Sequence, residues 1–312
     1  QTAFIRENAE KRENNMEKTR SGFIAIVGKP NVGKSSLLNQ FLGEKLAIVS
    51  AKPQTTRNRI TGVLTDGADQ IVFIDTPGLH KPKTKLGEFM VDQVNDSVAD
   101  VDAILFVVEP AGQLIESEHD LIDTFDKLRI PVVLVINKID TLRERDKLLA
   151  RIAQLSVLYP FDAVIPVSAL THEGVDELLE QVKCYLCEGP HFFPDDILTD
   201  QPERVIVSEI VREKLLRNLR DEIPHGTAVS VEKMKERENA DMMDIDVTIF
   251  CEKDSHKGMI IGKGGRMLKK IASESRTDIE RFLCVKINLQ CWVKVKDDWR
   301  NKEGIIRSLG YM

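Results

Sequence analysis

An open, mostly parallel α/β sheet with helices on both faces, followed by a small α+β domain, is what three observations in this sequence predict. The first is length: 312 residues favour two domains at about 150 residues each. The second is rhythm. From Ser21 to Glu188 short apolar runs alternate with helical periods, which demands crossover connections and hence parallel pairing. The third is a break. Residues 189–203 carry three prolines and several acids with no helical period, the composition of a linker.

Strands are expected at Phe23–Val27, Asn58–Thr65, Gln70–Asp75, Ala103–Val108, Pro131–Asn137 and Ala163–Val167. Helices are expected at Lys34–Leu42, Phe89–Val98, Glu118–Leu128, Arg143–Ser156 and Gly174–Cys187, where the apolar period changes from 2 to 3.6. Asp66-Gly67 between the second and third strands is a hairpin signal, so one edge strand is antiparallel. Beyond the linker the pattern gives a helix over Arg204–Arg220, strands His225–Arg237 and Met243–Glu252, helices Ser255–Ile261 and Arg266–Leu283, and a strand Val285–Val295. The expected units are a tail at 1–20, a first domain at 21–188, the linker at 189–203 and a second domain at 204–312. The stretch before Met16 reads as an addition upstream of a natural start.

Composition narrows the function. Hydrophobic residues make up 42% and charged residues 30%, enough apolar material for two cores. No apolar run reaches the roughly 18 residues of a membrane helix. The first 20 residues are charged and lack a secretory apolar region. Five cysteines are too few for a disulfide scaffold. Cys184 and Cys187 form a C-x-x-C with His191 nearby, but no second ligand pair follows, so buried free thiols are expected. The net charge is −6, yet from Cys251 to Met312 14 Lys+Arg face 8 Asp+Glu, a local +6. Such an asymmetry points to a polyanion at one end of the chain.

The most specific motif is Gly28-Lys29-Pro30-Asn31-Val32-Gly33-Lys34-Ser35, a G-x-x-x-x-G-K-[ST] pattern between an expected strand and an expected helix. Its glycines let the backbone wrap a phosphate, so that N–H groups and the helix N-terminus face the anion. Lys34 brings positive charge to the β- and γ-phosphates, and the Ser35 hydroxyl ligates Mg²⁺. Gly28, Asn31, Gly33, Lys34, Ser35 and Ser36 make up the expected phosphate cradle.

Four further elements accompany it. Asn137-Lys138-Ile139-Asp140 follows a buried strand, at the carboxyl edge where open α/β sheets bind ligands. The Asp140 carboxylate accepts from guanine N1–H and its amine, whereas adenine would leave it unpaired, so the nucleotide is GTP or GDP. Asp75-Thr76-Pro77-Gly78 would place Asp75 in the Mg²⁺ shell and the Gly78 amide at the γ-phosphate, although in isolation it reads as a plain turn. Gln54-Thr55-Thr56-Arg57 sits in a long polar loop. One of its threonines, preferably Thr56, would close on Mg²⁺ and the γ-phosphate and release after hydrolysis. Ser168-Ala169 ends the last strand, with the Ala169 amide aimed at guanine O6.

These five elements, in this order and spacing, resemble the translation-factor-related GTPases, whose P-loop fold is Ras-like. QTTR together with DTPG narrows the resemblance to the Era branch. It extends from Ser21 to Tyr311, because Gly258-Met259-Ile260-Ile261-Gly262-Lys263-Gly264-Gly265 joins two expected helices and resembles the I-I-G-x-x-G loop of a type II KH domain. Alone, that loop would read as a tight helix–turn–helix with a solvated basic face. In a KH domain the glycines let an RNA backbone approach, and Gly262, Lys263, Gly264, Gly265, Arg266, Lys269 and Lys270 form the RNA-binding set. Arg212, Lys214, Arg217 and Arg220 share one expected helix and would serve RNA or a membrane surface.

The resemblance implies a mostly monomeric, cytoplasmic GTP-hydrolysing switch. It would bind the 3′ end of 16S rRNA, assist assembly of the small (30S) ribosomal subunit and associate peripherally with the membrane. The alternative is a nucleotide-sensing RNA chaperone or scaffold in which hydrolysis is incidental. Ras-type enzymes orient water with a Gln shortly after D-x-x-G, but here Gly78 runs into Leu79, His80 and Lys81. No arginine finger is identifiable. In resembling GTPases an asparagine of the phosphate loop holds K⁺, which implies that role for Asn31, with His80 as the next candidate. The expected catalytic set is thus Lys34, Thr56, Gly78 and Asn31, and the expected metal set is Ser35, Thr56 and Asp75.

Overall fold

The computed structural model describes residues 18–311 apart from 51, 53, 54, 79–81, 83, 221, 239 and 240. The readings of the tail before Met16, of Gln54 and of Leu79 to Lys81 lie outside the described residues. The first sheet comprises β1 (Arg20–Val27), β2 (Ile60–Asp66), β3 (Asp69–Asp75), β4 (Ala103–Val108), β5 (Val132–Ile136) and β6 (Ala163–Pro166), in spatial order β2-β3-β1-β4-β5-β6. Along this order all neighbours pair in parallel except β2 with β3, which turn back at Gly67 with φ 61°; a short seventh strand off the path pairs antiparallel with β1.

Helices α1 (Lys34–Leu42), α2 (Lys85–Ser97), α3 (Glu116–Leu128), α4 (Arg145–Ser156) and α5 (Val175–Lys183) provide the crossovers. Strand alternation explains why both faces are covered. Ile24, Ile26, Leu105, Val107, Val133 and Val135 enter one core, while Ala25, Val27, Ile104, Phe106, Leu134 and Ile136 enter the other.

Several bounds differ from expectation for local physical reasons. The first helical turn of α2 begins at Lys85 rather than Phe89, because Thr84 Oγ1 accepts from Gly87 N at 3.1 Å and caps it. Helix α5 stops at Lys183 instead of running to Cys187. Leu186 turns into the core, and β7 (Cys187–Glu188) pairs antiparallel with Ser21 and Arg20. As a result Cys184 and Cys187 are exposed, not buried, and so is Cys284. His191 faces Asp195 and the Ala68 carbonyl rather than the two thiols.

The second sheet holds β8 (Ala228–Glu236), β9 (Met242–Cys251) and β10 (Lys286–Val295) in order β10-β9-β8, with β10 parallel and β8 antiparallel to β9. Against it lie α6 (Glu203–Asn218), α7 (Asp254–Ile261) and α8 (Arg266–Leu283). A 3₁₀ turn at Trp299–Asn301 and α9 (Glu303–Ser308), both absent from the sequence reading, close the chain.

The proline-rich segment between the sheets is not a free tether. Val63 N donates to Leu198 O at 2.8 Å, Thr199 Oγ1 to Thr61 O at 2.6 Å, and Gln70 exchanges two hydrogen bonds with the Phe193 backbone. It thereby covers the edge strand β2, which would otherwise present unpaired backbone groups. The two halves also share a core, in which Leu86 and Met90 of α2 pack with Ala228, Phe250, Trp299, Ile306 and Tyr311. Among the described residues no helix is long and apolar enough to cross a membrane.

Candidate functional site

The turn from β1 into α1 is shaped by two glycines in the left-handed half of φ space, Gly28 at 146° and Gly33 at 100°. A Cβ on Gly28 would meet the Val107 carbonyl at 2.2 Å, and one on Gly33 would meet Asn137 Nδ2 at 2.2 Å, so neither position admits a side chain. Gly78 is pressed against the same loop, since its Cβ would lie 2.6 Å from Pro30 Cα. The loop encloses a cavity of about 300 Å³ lined by Asn31, Gly33, Lys34, Ser35, Ser36, Thr56, Gly78 and Lys138 among others. Asn31 itself sits at φ 66°.

Three oxygen-bearing side chains converge beside it. Ser35 Oγ donates to Asp75 Oδ2 at 2.6 Å, Thr56 Oγ1 donates to the same oxygen at 3.3 Å, and the two hydroxyls are 2.9 Å apart. Asp75 Oδ1 is buried without a hydrogen-bond partner. Two hydroxyls and a carboxylate with an unsatisfied oxygen form the hard donor set that Mg²⁺ takes. Burial pushes the Asp75 carboxyl up to about 6, against the opposing pull of Lys34 and of the two hydroxyls. Burial also brings the Lys34 ammonium down to about 8, with Asp75 acting in the other direction. Lys34 Nζ donates to Gly28 O at 3.0 Å and Lys29 O at 3.2 Å, a geometry an arriving phosphate would take over.

The base end is organised around Asn137. Its Nδ2 donates to Val32 O at 2.7 Å, and its Oδ1 accepts from Ala169 N at 3.0 Å and from Lys138 N at 2.8 Å. The Ala169 amide, expected to face guanine O6, is thus engaged within the protein and braces Asn137. Ser168 Oγ donates to Asp140 Oδ1 at 2.6 Å and fixes that carboxylate. Lys138 Nζ reaches Asn31 O at 2.5 Å and Glu109 at 2.8 Å, while Lys29 pairs with Glu109 at 2.9 Å. Glu109 therefore ties the phosphate loop to the base motif, a role that nothing in its sequence context announces.

A second cavity lined by Asn137, Lys138, Asp140, Ala169 and Leu170 shares Gly33, Ser36, Val49 and Lys138 with the first. The two share a wall, so the loop of Gly28–Ser35 and the Asn137–Asp140 motif open onto one trough. Leu170, 82% exposed beside Lys138, offers an apolar surface to a base plane, and sequence reading missed it. It also missed Asn39, whose Oδ1 accepts from Leu46 N and Ala47 N and anchors the loop that roofs the trough. Asn39 lies off the buried stripe of Leu37, Leu38, Phe41 and Leu42, so nothing in the sequence singled it out.

In the second half, Gly262, Gly264 and Gly265 take φ values of 72°, 60° and 76°. A Cβ on Gly262 would strike Met267 Cβ at 2.7 Å, whereas beside Gly264 and Gly265 lies open space. The backbone there is open to close approach. Lys263 in the loop and Arg266, Lys269 and Lys270 at the start of α8 are exposed. The cations of α6 have a different use. Arg212 donates to the Thr55 carbonyl, Lys214 pairs with Asp278, and Arg217 pairs with Glu213 at 2.8 Å. The expectation that Arg212, Lys214, Arg217 and Arg220 form one free surface on a helix is corrected accordingly, and α6 ends before Arg220.

A G-x-x-x-x-G-K-[ST] loop, an oxygen cluster suited to a divalent cation and the carboxylate of N-K-x-D on a Ras-like sheet, joined to a G-x-x-G helix pair, define a P-loop GTPase with a KH domain. Family models agree: residues 23–138 match the 50S ribosome-binding GTPase family and residues 222–300 the KH domain. The chain is 52% identical over 292 residues to the GTPase Era of Ruminiclostridium cellulolyticum, covering 94% of this chain and 97% of that one. It is 51% identical to that of Clostridioides difficile, at 94% and 98% coverage. Among solved structures, an Aquifex aeolicus Era variant bound to GDP and AlF₄⁻ superposes with a TM-score of 0.90 at 38% identity, covering 94% of this chain and 99% of that one. Era in complex with MgGDPNP and nucleotides 1506–1542 of 16S ribosomal RNA gives the same values. The chain belongs to the GTPase Era family, and it is a GTP hydrolase.

Proposed function

We propose that this GTPase is a Mg²⁺-dependent switch whose KH domain binds the 3′ end of 16S rRNA, and that it assists assembly of the 30S subunit. The observation that carries the reading is one chain holding both the Ser35–Thr56–Asp75 oxygen cluster and an open Gly262–Gly265 loop followed by exposed cations. Its units are residues 21–188 and 204–312, joined by 189–203.

When bound, Mg²⁺ would neutralise β- and γ-phosphate charge; Ser35, Thr56 and Asp75 are the side chains to hold it. Lys34 leaves the Gly28 and Lys29 carbonyls for the β- and γ-oxygens. The Gly78 amide meets the γ-phosphate, and Asp140, braced by Ser168, reads guanine. Asn31 is the candidate holder of K⁺ at the β–γ bridge. Loss of the γ-phosphate removes a contact of Thr56 and of the Gly78 amide, so nucleotide state biases how the KH domain is presented.

The same reading places the protein in the cytoplasm, mostly as a monomer, with peripheral membrane association. Filter binding of a 16S 3′-end RNA, alongside Mg²⁺-dependent GTP turnover, tests its core. Failure of either activity overturns it. Co-sedimentation with 30S particles and flotation with acidic vesicles test the assembly and membrane parts.

A further inference from the structure

Described residues of the loop that carries Thr56 are bonded to the other domain at several points. Lys45 Nζ pairs with Glu213 at 2.7 Å, Val49 N donates to Glu213 Oε1 at 3.3 Å, and Lys52 Nζ donates to the Leu219 carbonyl. The grip tightens around Thr56. On one side the Thr55 carbonyl accepts from Arg212, a fully buried residue of α6. On the other, Arg57 is 1% exposed and plunges into the second domain. Its Nη1 donates to Thr227 O at 2.6 Å and its Nη2 to His225 O at 2.8 Å. Its guanidinium lies 5.6 Å from the Trp299 ring centroid and 5.8 Å from that of Tyr311. Trp299 is itself fixed, since its Nε1 donates to Gly226 O at 2.9 Å, and Asn58 Nδ2 adds a bond to Gly310 O at 3.0 Å.

Both neighbours of Thr56 in the chain are therefore clamped by the second domain. Consecutive Cα atoms are fixed about 3.8 Å apart by planar peptides, so clamping residues on either side sets where the residue between them can be. Thr56 Oγ1 is thereby brought to Ser35 and Asp75. The cage is also a poor choice if stability were its purpose. A fully buried guanidinium faces carbonyls, ring surfaces and the Tyr311 hydroxyl, which accepts from Nη1 at 3.4 Å, instead of a directly bonded carboxylate, and Arg57 Nε has no hydrogen-bond partner. Such a buried cation bears a desolvation cost that an apolar residue would avoid.

We propose that the second domain completes the GTPase site in cis, with Arg57, its Trp299–Tyr311 cage and Arg212 acting as positioning residues that hold Thr56 against Ser35 and Asp75. The proposal rests on the reading of Thr56 as a ligand of Mg²⁺ in the GTP state. Tyr311, at the far end of the sequence, is then part of the hydrolytic apparatus although it touches no nucleotide. By reciprocity, a nucleotide that draws Thr56 to the metal stabilises the cage, and loss of the γ-phosphate loosens it.

The test compares single-turnover GTP hydrolysis, GTP affinity and GDP affinity in the full chain and four variants: Arg57→Ala, Tyr311→Leu, Tyr311→Phe and Lys85→Ala. Tyr311→Leu keeps an apolar side chain in the shared core, so it keeps the test valid if Arg57→Ala fails to fold. Lys85 also bridges the domains, to Glu303, but through exposed side chains that, among the described residues, make no hydrogen bond or ion pair to Arg57, Trp299 or Tyr311. A misplacement of about 1 Å costs up to about 100-fold in rate, so Arg57→Ala and Tyr311→Leu should hydrolyse GTP about 10- to 100-fold more slowly. GDP affinity should be unchanged, because GDP does not draw on Thr56. Tyr311→Phe, which keeps the ring, should restore most of the rate, and Lys85→Ala should match the wild type. Wild-type hydrolysis in Tyr311→Leu, or equal loss of GTP and GDP affinity, would overturn the proposal alone. A wild-type chain that bound no GTP would overturn the underlying reading as well.

Discussion

Ser168 Oγ donates to Asp140 Oδ1 at 2.6 Å, and the same hydroxyl accepts from Thr171 N at 3.1 Å. The base-reading carboxylate is thus oriented by a wholly buried hydroxyl whose own rotation is fixed by the backbone. Asp140→Asn turns an acceptor into a donor, so GTP affinity should fall on the order of 10⁴-fold while xanthosine triphosphate binding improves. Ser168→Ala should cost about 1 kcal/mol of affinity, the worth of one orienting hydrogen bond. Calorimetric titration with both nucleotides checks this, and equal losses for the two would reject Asp140 as the reader.

The Gly262–Gly265 loop should carry RNA affinity independently of the nucleotide. Lys263→Asp with Gly264→Asp puts like charge, and a side chain, where an RNA backbone must approach. Binding of single-stranded RNA should collapse, and the salt slope should shrink by about one for each phosphate the protein no longer neutralises. GTP affinity should not change. Filter binding across a salt series reads both quantities, and retained RNA affinity would show that RNA docks elsewhere.

Much of this was legible in the sequence, for identifiable reasons. Helix α1 spans Lys34–Leu42 as expected because left-handed glycines bracket it, Gly33 at φ 100° and Gly43 at φ 65°. Strand β4 spans Ala103–Val108 as expected because an unbroken apolar run leaves no other buried option. What could not be read is tertiary. Arg57 looks like a loop cation, and its burial is decided by Thr227, 170 residues further along the chain. Arg212 and Lys214 look like a basic face for a polyanion, yet Thr55 and Asp278 take them up. Helix α9 has six residues, too few to display a period.

The docked linker should respond to pH. The Asp195 carboxylate, with the Ala68 carbonyl, raises His191 above its ordinary value. A histidine whose folded value is raised contributes stability in full below its unfolded value of about 6.5, and that contribution fades as pH rises through the folded value. Amide exchange at Val63, whose N–H is bonded to Leu198 O at 2.8 Å, should therefore show greater opening as pH rises through that window, after correction for intrinsic exchange rates. His191→Gln should remove this dependence. The same pH dependence in the variant would assign it to another group.

Potassium is the expected charge at the β–γ bridge, through Asn31. Hydrolysis measured at equal ionic strength should be faster in K⁺ than in Na⁺, and Asn31→Ala should abolish the difference without abolishing GTP binding. Identical rates in the two salts would remove potassium from the mechanism and leave His80 or a partner's residue to be tested.

If nucleotide chemistry and RNA recognition are coupled in one chain, single-turnover GTP hydrolysis should change when saturating 16S 3′-end RNA binds. Lys263→Asp with Gly264→Asp should erase the change while leaving the RNA-free rate intact. Identical rates with and without bound RNA would contradict that coupling, and would make this protein a scaffold in which hydrolysis is incidental.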